Sequence, residues 1–255
     1  ESVDFIAAED TRHTGRFLNQ HGNYGKLISK NEHNEDKRTP GLLKKLESGS
    51  LIALVTSAGT PSVSDPGFRL IKKAIETGIS VVPIPGVSAA ITALSVAGMA
   101  TDTFVFIGFL PKKTGKRINQ LKELAGEPRT LILYESPNRI VQVLENILAV
   151  MGDRFGVLAR EMTKLHEEFL RGSLSELLGH LKNRPQIKGE CTLLISGRPK
   201  GAENVFELAM DELKHRLENN DGRLSELAKE ISKRYSLSKK KVYDQALKLN
   251  KENRR

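Results

Sequence analysis

The sequence predicts an α/β protein made of two α/β domains followed by a small C-terminal helical domain. Three observations carry that reading. Short apolar, β-branched runs alternate with segments of helical period from residue 3 to residue 197. The ends of those runs gather small or charged residues, where open α/β sheets keep their sites. From Lys200 onward the chain turns helical and highly charged, with no further strand-like run.

Composition narrows the class. A chain of 255 residues is long enough to bury a substantial core, as one large domain or two. Its 38% hydrophobic and 28% charged content fits a soluble globular protein, and its longest apolar runs fall well short of the ~18 residues of a membrane span. The lone Cys191 excludes a disulfide framework and a cysteine-rich metal site, and a reducing, cytoplasmic setting is expected. A net charge of +9 favours a polyanionic partner, with nucleic acid the first choice. The chain opens at Glu1 without a methionine, directly before a strand-like run, so a further N-terminal segment is expected.

The first domain is expected over residues 1–111. Residues 3–8 read as a strand that runs into Glu9-Asp10-Thr11-Arg12, and Asp10 or Thr11 suits the cap of a helix over about 14–20. Two acids and an arginine at a strand end mark a candidate site; a helix cap with a surface ion pair uses the same residues. His13, His21 and His33 have no metal-ligand spacing and read as surface or polar-network groups. A short strand over 27–29 and a helix over 35–48 follow. The chain is organised around residues 51–67. There a strand over 51–55 breaks into residues 56–60, all small, then Pro61, Asp65, Pro66 and Gly67, before a helix over 68–75. A loop without bulk lets backbone approach a ligand closely; it also fits an ordinary βα turn. Residues 80–84 read as a strand with Pro83 at its edge. Residues 85–90 form a second small-residue turn, opening a helix over 89–97 that is apolar nearly all round and so expected to be buried. Two such loops on successive βα units would make two walls of one pocket. Residues 104–110 are strongly strand-like, and Lys112, Lys113, Lys116 and Arg117 then mark the boundary between the domains, as a solvated loop or a phosphate contact.

The second domain is expected over 112–199. Strands over 130–134, 156–159, 168–170 and 191–196 alternate with helices over 140–151 and 174–181, and charged residues again gather at strand exits, notably Glu135, Arg139, Arg160 and Glu161. The third, over 200–255, begins as a linker at Gly201 and carries helices over 205–217, 224–233 and 239–249. The last two have helix-turn-helix spacing, with Ser238 as cap and Lys239, Lys240 and Lys241 at the start of the second helix. A helical tail that packs on the body or on a second subunit fits equally.

Six motifs occur in order: Ala8-Glu9-Asp10-Thr11-Arg12, residues 57–67 (SAGTPSVSDPG), Pro85-Gly86-Val87-Ser88-Ala89, Gly108-Phe109-Leu110-Pro111, Glu135-Ser136-Pro137-Asn138-Arg139 and Lys188-Gly189-Glu190. Together they resemble the tetrapyrrole-methylase-like, class III S-adenosylmethionine-dependent methyltransferases, and within them the bacterial branch that acts on small-subunit ribosomal RNA. The likeness spans about residues 3–197, and the helical tail also matches. It implies two α/β domains with S-adenosylmethionine in the cleft between them, usually in a homodimer. It implies 2'-O-methylation of a cytidine ribose in small-subunit ribosomal RNA, free or assembled in the subunit. It places the donor against Ser57, Ala58, Gly59, Thr60, Pro61, Ser88 and Ala89, with Tyr134, Met162, Cys191 and Thr192 completing the site.

The chemistry this implies needs no metal, because the donor's sulfonium is already activated. It needs alignment of a ribose hydroxyl and an acceptor for its proton. Asp10, Asp65, Glu135 and Glu161 are the candidate acceptors or orienting groups. Arg12, Arg139 and Arg160 are candidates for an RNA phosphate or the developing oxyanion. Two departures from the family's pattern stand out. The chain starts after the family's first strand and its small-residue loop, and Ser57 stands where the family commonly has aspartate. Two other readings stay open: a small-molecule, tetrapyrrole-type methyltransferase, and a non-catalytic RNA-binding or assembly protein on the same fold. The basic balance and the tail argue against the first of these.

Overall fold

The structure is a computed structural model describing residues 3–32, 34–199, 202–218, 222, 224–235 and 237–252. His33 and the expected linker start at Lys200 and Gly201 lie outside the described residues. The chain divides into two compact units, one through Ser196 and one from Gly197. No described helix is long and apolar enough to cross a membrane.

The first unit holds two sheets. β1 (Phe5–Ala8), β2 (Leu27–Ser29) and β3 (Ile52–Val55) form a parallel sheet in the order β2-β1-β3. Parallel neighbours need crossover connections, supplied by α1 (Thr11–Gln20) and α2 (Glu35–Glu47), and α3 (Phe68–Glu76) follows β3. Ala7, Leu42 and Leu70 bring the sheet, α2 and α3 into one small core. A buried ion pair anchors this layer: Lys30 Nζ lies 2.7 Å from Glu35 Oε1, which also accepts the Gly67 and Arg69 N–H groups at the start of α3. Burial opposes the Glu35 charge, but the Lys30 ammonium and those two backbone donors hold its carboxyl below the usual range.

Residues 80–84 do not form the expected strand. They carry no strand pairing, and Val82 and Ile84 are 74% and 84% exposed. Pro83 and Pro85 remove two backbone donors from this stretch, so it cannot supply a regular ladder. The helix that follows, α4 (Ala89–Ala97), is also not buried all round. Ala90, Ala93, Leu94 and Ala97 face the core, while Ile91 and Val96 remain half exposed.

The second sheet is mixed, in the order β4-β5-β8-β6-β7: β4 (Phe104–Phe109), β5 (Thr130–Glu135), β8 (Cys191–Ile195), β6 (Phe155–Arg160) and β7 (Glu168–Ser173). Only β4 and β5 are parallel; the other pairs are antiparallel. One face is covered by α5 (Thr114–Leu124), α6 (Ile140–Met151) and α7 (Leu174–Lys182), through Leu121, Leu144, Ile147, Leu177 and Leu193. The opposite face carries α4, whose alanines pack on Ile132, Val157, Ala159 and Leu194. Thus β4 and α4, which precede the expected boundary at 112–117, build the second sheet and its cover. Their small and β-branched residues match a flat apolar surface, and only pairing decides which sheet receives them.

The second unit contains α8 (Ala202–Glu218), α9 (Leu224–Arg234) and α10 (Lys239–Glu252). Ala209 and Leu213 from α8, Leu227, Ala228 and Ile231 from α9, and Val242 and Ala246 from α10 form its buried centre. These follow the spacing read from the sequence. The α9–α10 turn is closed by Leu237 N–H on the Ser232 carbonyl, and the Ser238 carbonyl accepts from Val242 as the last helix begins. Lys239, Lys240 and Lys241 are exposed.

Candidate functional site

The site is built on the exits of β1 and β3. Glu9 follows β1, and its Oε2 accepts both the Thr56 hydroxyl and the Ser57 N–H at 3.0 Å. This fixes the start of the loop after β3. Burial works against the Glu9 charge, yet those bonds keep its carboxyl below the ordinary range. Beyond Ser57 the backbone becomes unusual. Gly59 has φ +70°, and Ser62 and Ser64 also take positive φ values. For serine this is a sparsely populated conformation that the surroundings must hold in place. A Cβ at Gly59 would meet nothing within 4 Å, so its backbone faces open space.

The second small-residue loop meets the first. Thr60 Oγ1 donates to the Val87 carbonyl at 3.1 Å, which sets residues 58–60 beside Ser88 and Ala89. Tyr134, near the end of β5, accepts the Ala90 N–H on its hydroxyl at 3.1 Å and so joins the second sheet to this wall. The approach is tight at Gly108. There β4 shifts register, φ is +69°, and a Cβ would stand 2.7 Å from Ser64 Oγ. Only glycine admits this bulge beside the loop, and the bulge turns Phe109 outward, 5.8 Å from the Tyr134 ring.

The result is a cavity of about 300 Å³, within the size range of small-molecule sites. One side is Ala58, Gly59, Thr60, Val63, Ser64 and Asp65; another is Ser88 and Ala89. The second sheet adds Phe109, Tyr134, Glu135, Ser136 and Pro137, and Glu190, Cys191 and Thr192 close the floor.

Of the residues expected from the sequence, Ala58, Gly59, Thr60, Ser88, Ala89, Tyr134, Cys191 and Thr192 line this cavity, as do Asp65 and Glu135. Ser57 instead stands at its rim, tied to Glu9, and Pro61 and Met162 are not on its wall. Met162 packs with the core beneath α4. Val63, Ser64, Phe109, Ser136, Pro137 and Glu190 are additions. All six belong to quoted motifs, so their motif was the signal; which motif residues face the cavity is set by loop conformation, which side-chain type does not report.

The charged candidates separate by what already holds them. Asp10 is spent on the cap of α1, its Oδ1 accepting the Arg12 and His13 N–H groups at 2.8 and 3.0 Å. Those bonds, His13 first, lower its pKa. Arg12 points to solvent. Arg139 donates through Nη2 to the Leu110 and Pro111 carbonyls, and fully buried Arg117 holds the Pro111 and Lys112 carbonyls. Both guanidiniums therefore clamp the backbone after β4. Arg160 is held by Glu168 and the Lys188 carbonyl. Glu161 is held by the Lys164 ammonium and the Glu190 N–H, which keep its carboxyl low.

Two carboxyls facing the cavity differ from these. Glu135 is buried; its Oε1 accepts the Ser136 N–H, while Oε2 has no hydrogen-bond partner and lies 3.4 Å from Arg139. Burial pushes its pKa up despite Arg139 and Arg117. Asp65 is half-buried, and its pKa is pushed up to about 6, first by burial and then by the neighbouring charges of Glu9 and Glu190, against a hydrogen bond from Thr56. Cys191 contributes an inert thiol, raised to about 11 by burial.

Comparison with known proteins identifies the family. The family model described as Tetrapyrrole (Corrin/Porphyrin) Methylases matches residues 1–178. The protein named ribosomal RNA small subunit methyltransferase I of Streptococcus pyogenes serotype M1 is 43% identical over 249 residues, covering 96% of this chain and 86% of that one. Its namesake in Haemophilus influenzae is 48% identical over 204 residues, covering 79% and 72%. Among solved structures, the methyltransferase CobJ aligns with a TM-score of 0.57 at 18% identity, covering 76% of this chain and 83% of that one. Uroporphyrin-III C-methyl transferase from Thermus thermophilus, complexed with S-adenyl homocysteine, aligns with a TM-score of 0.53 at 16% identity over 76% and 85%. These last two show the shared fold. The chain belongs to the tetrapyrrole methylases, a family of S-adenosylmethionine-dependent methyltransferases, in the branch of the ribosomal RNA small subunit methyltransferases I.

Proposed function

We propose that this chain methylates the ribose 2'-hydroxyl of a cytidine in small-subunit ribosomal RNA, acting as a cytoplasmic homodimer. The observation that carries the reading is the cavity at the joined loops, with an Asp65 carboxyl on its wall that pairs with no cation among the described residues. The relatives' name supplies the substrate class, and the net charge of +9 agrees with a polyanionic acceptor.

S-adenosylmethionine, when bound, supplies a methyl group on a sulfonium that departs as a neutral thioether. The residues present fit it. Gly59 offers backbone with no side chain in the way, and Ala58 and Ala89 leave room beside it. Thr60, Ser88 and Thr192 provide hydroxyls, and Glu135 Oε2, which lies 3.4 Å from Arg139 without a hydrogen bond, is an acceptor for a donor N–H or O–H. Tyr134 and Phe109 give an aromatic wall. Asp65 is the group we assign to the ribose proton. A carboxyl with a pKa of about 6 is ionised at neutral pH and more basic than an ordinary aspartate, as a general base requires. Arg139 and Arg117 act at one remove, by holding the backbone after β4.

The deciding experiment is methyl transfer from labelled S-adenosylmethionine to small ribosomal subunits lacking ribose methylation. Incorporation that maps to a cytidine 2'-oxygen is expected. Donor binding with label only on a tetrapyrrole acceptor would replace this reading with a small-molecule one, and absence of donor binding would leave a non-catalytic RNA-binding protein.

A further inference from the structure

We infer that the outer face of α1 is the docking surface for a single-stranded segment of the RNA acceptor. Arg12 and Arg16 take phosphates there, and the Phe17–His21 pair takes a base. The inference rests on the RNA methyl-transfer reading above.

α1 buries no residue at all. Its inner side consists of half-buried Thr11, Thr14, Gly15 and Leu18, with Gly15 set close to Leu27 of β2. Its outer side presents Arg12, His13, Arg16 and Phe17, all exposed. The four-residue spacing stacks Arg12 over Arg16 and His13 over Phe17 on one face. Neither guanidinium makes a hydrogen bond or salt bridge among the described residues. Helix α3 differs, since there Arg69 pairs with Asp36 and Lys73 with Glu76. The first turn of α1 holds no acid, and the adjoining Asp10 carboxylate is committed to the cap.

The aromatic part is pre-formed. Phe17 is 56% exposed, and the His21 ring lies 4.4 Å from it at a 38° tilt. The His21 Nδ1–H donates to the Phe17 carbonyl at 2.8 Å, which fixes the two rings together. Tyr24, in the turn after the helix, is 85% exposed. A solvated basic helix face is ordinary; unpaired cations beside a locked, exposed aromatic shelf are what a single strand needs. Phosphates take the cations, and every base offers a face to stack. A duplex keeps its base faces stacked away from such a shelf.

Position adds the link to chemistry. Glu9, immediately before the Asp10 cap, anchors Thr56 and Ser57, and the cavity wall begins at Ala58. The N-terminal end of α1 is therefore tied to the loop that lines the cavity, near enough for the Glu9 charge to act on Asp65, and the helix itself is about 15 Å long. A strand laid along it delivers its next nucleotide to Asp65.

The test uses the full chain and a fluorescein-labelled single-stranded RNA oligonucleotide, with affinity read against salt by anisotropy. Arg12→Gln with Arg16→Gln is expected to lower the slope of log affinity on log salt by about 1.4, the release of two counterions from a single strand. Phe17→Ala is expected to weaken binding by about fivefold to hundredfold with the slope unchanged. S-adenosylmethionine affinity and thermal stability, measured in parallel, should stay at wild-type values, because these side chains are exposed. Wild-type slope and affinity in both variants overturn the assignment, and so does a wild-type chain whose RNA affinity is insensitive to salt. Methyl transfer to ribosomal RNA by the unmodified chain is read separately. A failure there with the variant effects intact refutes the reaction and leaves the docking face standing.

Discussion

Replacing Asp65 by asparagine separates its catalytic role from its effect on stability. With a pKa of about 6, roughly one tenth of the Asp65 carboxyl is ionised at pH 5 and nine tenths at pH 7. The wild-type kcat/KM for methyl transfer should therefore rise about tenfold between those values and level off above pH 7. Asp65→Asn removes the base, and the loss of kcat should be about a hundredfold to ten-thousandfold, with the pH 5–7 limb abolished. Stability should move the other way. The folded pKa stands above the ordinary value of 3.8, so the folded state holds the proton more tightly than the unfolded chain. The contribution is fully present below the unfolded pKa and is lost as pH rises through about 6. The shift sets an upper bound of about 3 kcal/mol, and solvent contact at a half-buried site reduces it to roughly 1–2 kcal/mol. The variant should thus be more stable than the parent at pH 8 and about equal to it at pH 4. The assays are single-turnover methyl transfer across pH and urea unfolding at the two pH values. Activity within tenfold of wild type, with the same pH limb, refutes Asp65 as the proton acceptor whatever the unfolding curves show.

Three further outcomes are expected. Gly59→Val puts a β-branched residue at φ +70° with no steric neighbour, so it should cost only about 1–3 kcal/mol of stability while reducing donor affinity more than tenfold by calorimetry; unchanged affinity removes Gly59 from the donor site. Lys30→Met leaves the Glu35 carboxylate buried without its ammonium and should destabilise the chain by about 3–5 kcal/mol, with much of the loss recovered when Glu35→Gln is added, as urea midpoints will show. Replacing Lys239, Lys240 and Lys241 together by glutamine should lower the salt slope of RNA binding by up to about 2 with donor affinity constant; a slope that stays put assigns α10 to packing rather than to RNA.

The small-residue loops were legible because their chemistry is local. Residues 57–60 and 85–89 lack bulk in the sequence itself, and lack of bulk is what lets two loops close on one another, as the Thr60–Val87 bond does. The tail was legible for a similar reason. Leu227, Ile231, Val242 and Ala246 keep helical spacing, and a three-helix centre asks little more than that spacing. Residues 80–84 show where such reading stops. An apolar β-branched run states a preference, but a strand exists only where another strand meets it, and two prolines within six residues weaken the preference further. The same limit hid the placement of β4, whose partner β5 lies beyond the expected boundary.

Charged residues were the least legible, because residue type does not reveal what has already claimed the charge. Asp10, Asp65, Glu135 and Glu161 all stand at strand exits or loops in the sequence and looked equivalent. In the fold, Asp10 meets two backbone N–H groups and becomes a cap, and Glu161 meets Lys164 and becomes a brace. Glu135 is walled in beside Arg139, while Asp65 feels the charges of two other carboxylates, Glu9 and Glu190. The partners that decide these outcomes range from two residues away to more than a hundred, as with Asp65 and Glu190. The arginines divide in the same way: Arg139 is consumed by the carbonyls after β4, whereas Arg12, equally conspicuous in the sequence, is exposed and makes no hydrogen bond or salt bridge among the described residues, with only the charge of Asp10 acting on it. An exposed charge with no hydrogen bond or salt bridge does little for the fold. That is why Arg12 and Arg16 carry the argument for an external anion, and why Asp65, held half-buried among other acids, carries the argument for a proton.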